Sequence, residues 1–218
     1  MPAAHAFRRY VVAALSLAGA AGARASVEVW QFDALLDGRP IGEHRFALTH
    51  EPGEGPRLVS EARFDVTLLG LTVYRYRHRA SERWSKDCLA AIEARTDDDG
   101  RETVVRGHAE PGRFVIDADG GGGPAGAVAA PCLMSFAYWH PALASQRQLL
   151  DPGTGRVETV VVVPLPETRI DVARQSTAVR GVRIGGLARP IDVWYAGDRW
   201  VGLDTTVQGG RRLSYRLR

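Results

Sequence analysis

From residue 27 to the C-terminus, apolar and polar residues alternate two by two with few interruptions. No other feature constrains the fold as tightly, because successive side chains of a strand point to opposite faces. In "VEVWQFDALL" (27–36), Trp30, Phe32 and Ala34 fall on one face, opposite Val29, Gln31 and Asp33. In "IGEHRFALTH" (41–50), His44, Phe46 and Leu48 oppose Glu43 and Arg45. Turn signals separate such runs, among them "DGRP" after residue 36 and "DDDG" at 97–100. Repeated to the end of the chain, the pattern predicts about eleven or twelve strands.

A flat sheet of that size would leave two long edges and a wet apolar face. The expected fold is therefore mainly β: a large curved antiparallel meander that curls into a barrel or half-barrel, the alternative being a split into a sandwich. One stretch breaks the pattern. In "PCLMSFAYWHPALASQRQLLDPGTG" (131–155), apolar and aromatic residues crowd together and Pro141 opens a helical spacing. The run "PALASQRQLL" predicts one short helix with Leu143, Arg147 and Leu150 on one side, stopped by Asp151-Pro152-Gly153. A helix this short needs a covered apolar side, so it is expected on the concave face of the sheet. Just before it, "DGGGGPAGAVAA" (119–130) reads as a surface loop and not as a phosphate cradle, which requires a following helix and a Lys or Ser at fixed spacing.

The first 25 residues read as a secretory signal peptide: Arg8-Arg9, an apolar run from Tyr10 to Ala23, then Ala23-Arg24-Ala25. Cleavage is expected after Ala25, leaving 26–218 as a single β-rich domain in the periplasm. The formal charge of +3 belongs to the leader, since losing Arg8, Arg9 and Arg24 balances the two signs. Charge thus offers no argument for nucleic acid. The apolar run is too short to span a bilayer. Two cysteines, Cys88 and Cys132, in an exported chain point to a disulfide, the alternative being two buried thiols. No residues stand at metal-ligand spacing, and no cofactor motif is present.

The residues with chemistry to offer are mostly aromatic. "TVYRYRHR" (72–79) places Tyr74, Tyr76 and His78 on one face and Arg75, Arg77 and Arg79 on the other. Inward tyrosines would bring hydroxyls into an apolar space. The arginines read as partners for Glu61, Asp65 or Glu93 on neighbouring strands. Phe136, Tyr138, Trp139, His140 and Leu143 come from the aromatic knot. In "DVWYAGDRWVGLD" (192–204), Trp194 and Trp200 read as a cross-strand aromatic pair. His140 reads first as a helix cap, and alternatively as a catalytic base.

Together, "FDALLDGRPIGEHRF", "YRYRHRASERW", "CLAAIEARTDDDG", "FAYWHPAL" with "RQLLDPGTG", and "DVWYAGDRWVGLD" resemble an uncharacterised family of bacterial secreted proteins, domain of unknown function 6134. The resemblance implies a Gram-negative envelope protein and carries over no activity. At the level of fold, the chain also looks like the periplasmic lipoprotein carriers, in which a half-barrel closed by helices holds acyl chains. The leading expectation is a non-enzymatic protein that binds an apolar or lipid-like small molecule in the curved sheet. The binding residues would be Tyr74, Tyr76, Phe136, Tyr138, Trp139, His140, Leu143, Trp194 and Trp200. One alternative is a structural or partner-binding envelope protein whose aromatics simply fill a core. Another is an envelope enzyme using His140 with Asp151 or Arg147.

Overall fold

The computed structural model describes residues 25–120, 126–128 and 130–218. The expected leader, except Ala25, and most of the glycine run lie outside these described residues. The first half of the domain is a meander of seven long strands: β1 (Ser26–Leu36), β2 (Arg39–His50), β3 (Arg57–Leu68), β4 (Leu71–Ser85), β5 (Cys88–Asp98), β6 (Arg101–Glu110) and β7 (Arg113–Asp119), with the short β8 (Gly126–Val128) at its edge. A second half follows: β12 (Val161–Val172), β13 (Gln175–Gly185), β14 (Ile191–Ala196), β15 (Arg199–Thr206) and β16 (Arg212–Leu217). Between the halves run three short strands, β9 (Met134–Ser135), β10 (Gln148–Leu150) and β11 (Val157–Thr159), and a 3-10 helix at Pro141–Ser145. The long strands are the ones that the period-two pattern predicts.

The two halves form one thirteen-stranded sheet in the order β12-β13-β14-β15-β16-β1-β2-β3-β4-β5-β6-β7-β8. Its seam is β1, which pairs antiparallel with β2 on one side and with β16 on the other. Four hairpins, β1–β2, β3–β4, β5–β6 and β12–β13, close through two-residue loops with both residues at positive φ: Asp37-Gly38, Leu69-Gly70, Asp99-Gly100 and Ala173-Arg174. Such loops match the right-handed twist of the strands they join. The sheet's edges are β12 and β8. Pro164 and Pro166 lie on β12, where a missing N–H does least harm.

The alternation places the core where expected. Trp30, Phe32, Ala34, Phe46, Leu48, Leu58, Ala62 and Phe64 are all buried on one face. Arginines occupy the other face: Arg77 binds Asp65 through both carboxylate oxygens at 2.8 Å, and Arg79 lies 3.3 Å from Glu61. Two aromatic rings lie over glycines, Phe114 over Gly107 and Trp194 over Gly181, where a Cβ would overlap the ring. On the outer face Asp204 gathers Ser214 Oγ at 2.6 Å, Trp194 Nε1 at 2.7 Å and Arg216 at 2.8 Å.

The connecting segment crosses the concave face as a plug. Leu133, Met134, Leu143, Leu149 and Leu150 on it are almost completely buried. The expected helix is only one turn long. After Ser145 the chain extends into β10, which pairs with β11 and, in parallel, with β9. Consecutive buried leucines explain the difference. A helix would turn Leu149 and Leu150 about 100° apart, whereas a strand between two neighbours buries both faces. His140 caps the 3-10 turn, its Nδ1 accepting from the Ala142 N–H at 3.1 Å.

The expected disulfide is present: Cys88, at the start of β5, is bonded to Cys132, just before β9. The bond and the Leu89 N–H···O=C Leu133 hydrogen bond at 2.8 Å fasten the plug to the sheet. With a sequence separation of 44, the chain-entropy model gives about 4 kcal/mol of stabilisation. A Cys88→Ala/Cys132→Ala variant should therefore unfold at a clearly lower urea concentration than the wild type. Coincident unfolding midpoints for the two proteins would show that the plug is held by packing alone.

Candidate functional site

Three cross-strand rows meet on the concave face. One runs His44–Ala62–His78–Thr96, the next Phe46–Ser60–Ala80–Ala94, the third Leu48–Leu58–Glu82–Ile92. Their central positions carry small side chains, Ser60, Ala62 and Ala80, too short to reach across a curved sheet. A cleft of about 520 Å³ opens over Ser60. Its walls come from both halves and from the plug: Phe46, Leu58, Tyr76 and His78 on one side, Leu203, Leu213 and Tyr215 on the other, Phe136 and Tyr138 across the top. Asp151, Arg156, Glu158 and Arg189 also line it.

Polar and charged side chains make up about half of this lining, and the buried ones are mostly paired. His44 Nδ1 lies 3.2 Å from Tyr215 Oη, while its Nε2 is buried without a partner among the described residues. His78 Nδ1 lies 2.9 Å from Thr96 Oγ1. Glu82 is only 3% exposed, and its Oε2 accepts from Trp84 Nε1 at 3.1 Å and Ser135 Oγ at 3.0 Å. Burial penalises each charged form. It holds the His44 imidazole well below its usual range, helped by neighbouring His78. It lowers His78 to about 4 against the opposing pull of Asp151. It also pushes Glu82 up to about 7, although Ser135 and Trp84 favour the carboxylate. At neutral pH the two histidines are uncharged.

The sequence-derived candidates fall into separate places. Tyr76, Phe136 and Tyr138 line the interior cleft. Tyr74 stands closer to the rim, its hydroxyl donating to Asp98 at 2.6 Å. Trp139 and Leu143 line a second cleft of about 590 Å³ with Pro164, Leu165, Val182 and Tyr195. Leu143 is fully buried, whereas Phe136 and Trp139 are half-buried, Trp139 packing against Trp30 and Trp84.

His140 belongs to neither cleft. It stacks on Trp84, and its Nε2 lies 3.5 Å from Asp87, not from Asp151 or Arg147. With Nδ1 accepting from Ala142, the neutral ring carries its proton on Nε2. Trp200 lies beneath the cleft in the core, against Phe32, Phe46 and Tyr138. The expected Trp194–Trp200 pair does not form. A bulge between Trp194 and Tyr195 sets Tyr195 opposite Trp200 and Trp194 opposite Gly202, so the two indoles leave opposite faces. His44, Ser60, Glu82 and Tyr215 are wall residues beyond the sequence candidates. Strand parity identifies them: each occupies an inward position on a strand whose other inward residues are apolar.

Among the described residues no group of three or more His, Cys, Asp or Glu side chains stands close enough to hold a metal ion. The family model "Domain of unknown function (DUF6134)" matches residues 32–218. No curated protein matches the chain. Among solved structures, the chain is similar to the crystal structure of a beta-barrel-like protein of domain of unknown function DUF1849 from Brucella abortus. The TM-score is 0.62 at 14% identity, covering 87% of this chain and 94% of that one. That likeness is one of fold.

Glu82 gives the cleft a measurable signature. Its folded-state pKa is raised, from 4.5 to about 7, so its favourable contribution is full below about pH 4.5 and is lost as pH rises through 7. The depressed histidines act in the opposite sense, losing stability as pH falls below about 6.5. Glu82→Gln isolates the carboxylate. Compared with wild type, the variant should gain stability between about pH 4.5 and pH 8, by about 3 kcal/mol in total. Parallel stability–pH curves for the two proteins would mean that Glu82 is solvated in solution.

Proposed function

We propose that this chain, which belongs to the DUF6134 family of unknown function, is an exported, non-catalytic protein that holds an apolar or amphipathic small molecule, lipid-like in class, inside its curved sheet. The observation that carries this reading is the interior cleft. About 520 Å³ stays open above Ser60, within the 300–1,000 Å³ usual for ligand pockets. Phe46, Leu58, Phe136, Leu203 and Leu213 offer apolar contact, Tyr76, His78, Glu82 and Tyr215 add fixed polar groups, and Asp151, Arg156, Glu158 and Arg189 add charge. That balance suits a molecule with an apolar body and a polar or charged head.

Export is part of the same proposal. Arg8-Arg9, the apolar run and Ala23-Arg24-Ala25 support a leader removed after Ala25. The Cys88–Cys132 bond supports an oxidising compartment such as the periplasm. The rival reading, a filled structural core, draws support from the full burial of Trp200, Phe32 and Leu143. It leaves the hollow over Ser60 without a reason. His140 as a catalytic base has little support, since its nitrogens face Ala142 and Asp87.

Native mass spectrometry of protein purified from the periplasm tests the proposal directly: a co-purifying small-molecule mass is expected on a chain beginning at Ser26. In a companion assay, N-phenylnaphthylamine should fluoresce on binding wild type. A Ser60→Leu variant, which fills the hollow, should bind it weakly while still unfolding cooperatively. Protein that emerges bare and a probe signal indifferent to Ser60→Leu would overturn the ligand-binding reading.

A further inference from the structure

The β3–β4 hairpin runs beyond the sheet. β5 pairs with β4 only as far as Tyr76↔Asp98, with one further hydrogen bond from the Asp99 N–H to the Arg75 carbonyl. Past that point the ribbon stands alone and ends in "LLGLTV". Its large side chains are bare: Leu68 is 63% exposed, Leu69 96%, Leu71 71% and Val73 53%. Half of the large apolar residues that are exposed among the described residues sit on this one tip.

Turn chemistry does not account for the leucines. Leu69 has φ +52°, a left-handed backbone that disfavours residues with a branched side chain. The two sister loops of the same form that end in glycine carry Asp37 and Asp99 at the corresponding position, the residue type such a turn prefers. A leucine there is strained and fully exposed, so the reason for it lies outside the fold.

We propose that the Leu68–Val73 tip inserts into the interface of a lipid bilayer and docks the protein on a membrane surface. The tip is convex, whereas a protein partner would need a broad flat or concave patch. Four side chains present on the order of a few hundred Å², short of the ~800 Å² per partner that a stable protein interface buries. A bilayer asks for no such matched surface, because lipid can close around a small wedge of aliphatic side chains. Among the described residues no helix is long and apolar enough to cross a membrane, so the contact is peripheral.

Charge sharpens the proposal. Beside the tip, Arg75 lies 3.8 Å from Asp65, and Tyr74 donates to Asp98. Arg75 shares Asp65 with Arg77, and Asp98 and Asp99 lie beside Tyr74 and Arg75. No net positive charge therefore flanks the leucines among the described residues of the ribbon, so docking is apolar and needs no anionic lipid. The same ribbon carries Tyr76 and His78 into the interior cleft, which places the membrane contact a few residues from the cleft wall. Docking stands whether or not the cleft is loaded.

Flotation of the mature protein with vesicles of phosphatidylcholine, with and without phosphatidylglycerol, provides the test. Wild type should float with both, little affected by salt. Leu69→Asp, alone or with Leu71→Thr, should reduce the bound fraction about tenfold or more. Leu69→Asp restores the residue that the sister turns use, so its thermal midpoint should match or exceed that of wild type, separating lost docking from lost folding. Failure of wild type to float with either vesicle would overturn the proposal, as would equal flotation by the variants. A wild-type dimer in solution that Leu69→Asp converts to monomer would assign the tip to a protein contact instead.

Discussion

β1 is the strand on which the rest of the sheet depends. It forms one ladder with β2 and another with β16, so the first and last strands of the domain lie side by side. Without that seam there would be two separate curved sheets, each with an apolar face and two open edges. With it, residues from opposite ends of the chain share one interior: Phe32 of β1, Phe46 of β2, Trp200 of β15 and Tyr215 of β16 pack together. Polar groups on the outside reinforce the seam. Arg218 reaches Asp33 at 2.7 Å and Glu43 at 2.9 Å, tying the C-terminus across β1 to β2. These exposed pairs contribute little energy individually; the ladders and the buried aromatics carry the junction.

Closing the seam creates the second constraint. A sheet of thirteen strands encloses more space than its own inward side chains fill, and an unfilled apolar cavity is costly. The plug answers it by entering from β8 and leaving into β12, the two strand edges that do not meet. Its residues are chosen for that volume, with Leu133, Met134, Leu149 and Leu150 packed against both halves. The disulfide fixes the entry of the plug, and the Tyr195 hydroxyl donating to the Tyr138 carbonyl at 2.8 Å ties its middle to the second half. What the plug does not fill is the interior cleft.

Strand parity made most of this legible from residues alone. Period-two alternation identified the long strands and the face of Trp30, Phe32, Phe46, Tyr76 and His78, because burial on one side of a sheet leaves a direct mark in sequence. It did less well where tertiary pairing decides. "QRQLL" has helical spacing, but β9 and β11 offer extended neighbours, and the backbone hydrogen bonds of β10 follow them. Trp194 and Trp200 looked like partners because the bulge at Tyr195 is silent in the sequence, and one inserted residue reverses the parity beyond it. The cleft was legible only in part. Tyr76, Phe136 and Tyr138 were readable as aromatics, whereas the hollow itself opens over Ser60 between walls that come from both halves and from the plug. Such a meeting of walls depends on tertiary pairing, which no single strand reveals.

The chemistry of that hollow sets it apart from ordinary core. A sheet of this kind could have filled the space over Ser60 with a larger apolar side chain, gaining dispersion contacts. Instead the neighbouring rows place His44, His78 and Glu82 facing the same space. Each is destabilising in its ionised form, and His44 keeps a ring nitrogen out of water with no partner among the described residues. Such local conflicts between stability and side-chain choice concentrate where a fold serves something other than its own stability. The leucine tip shows the same conflict at the surface: the left-handed corner at Leu69 would suit Asp, and solvent would suit it better still. One ribbon, β3–β4, thus carries both departures, polar groups facing the inner hollow and bare aliphatic groups at its outer end. A carrier of amphipathic molecules would need both on one element, since its cargo must leave a sheltered interior close to an apolar medium that can receive it.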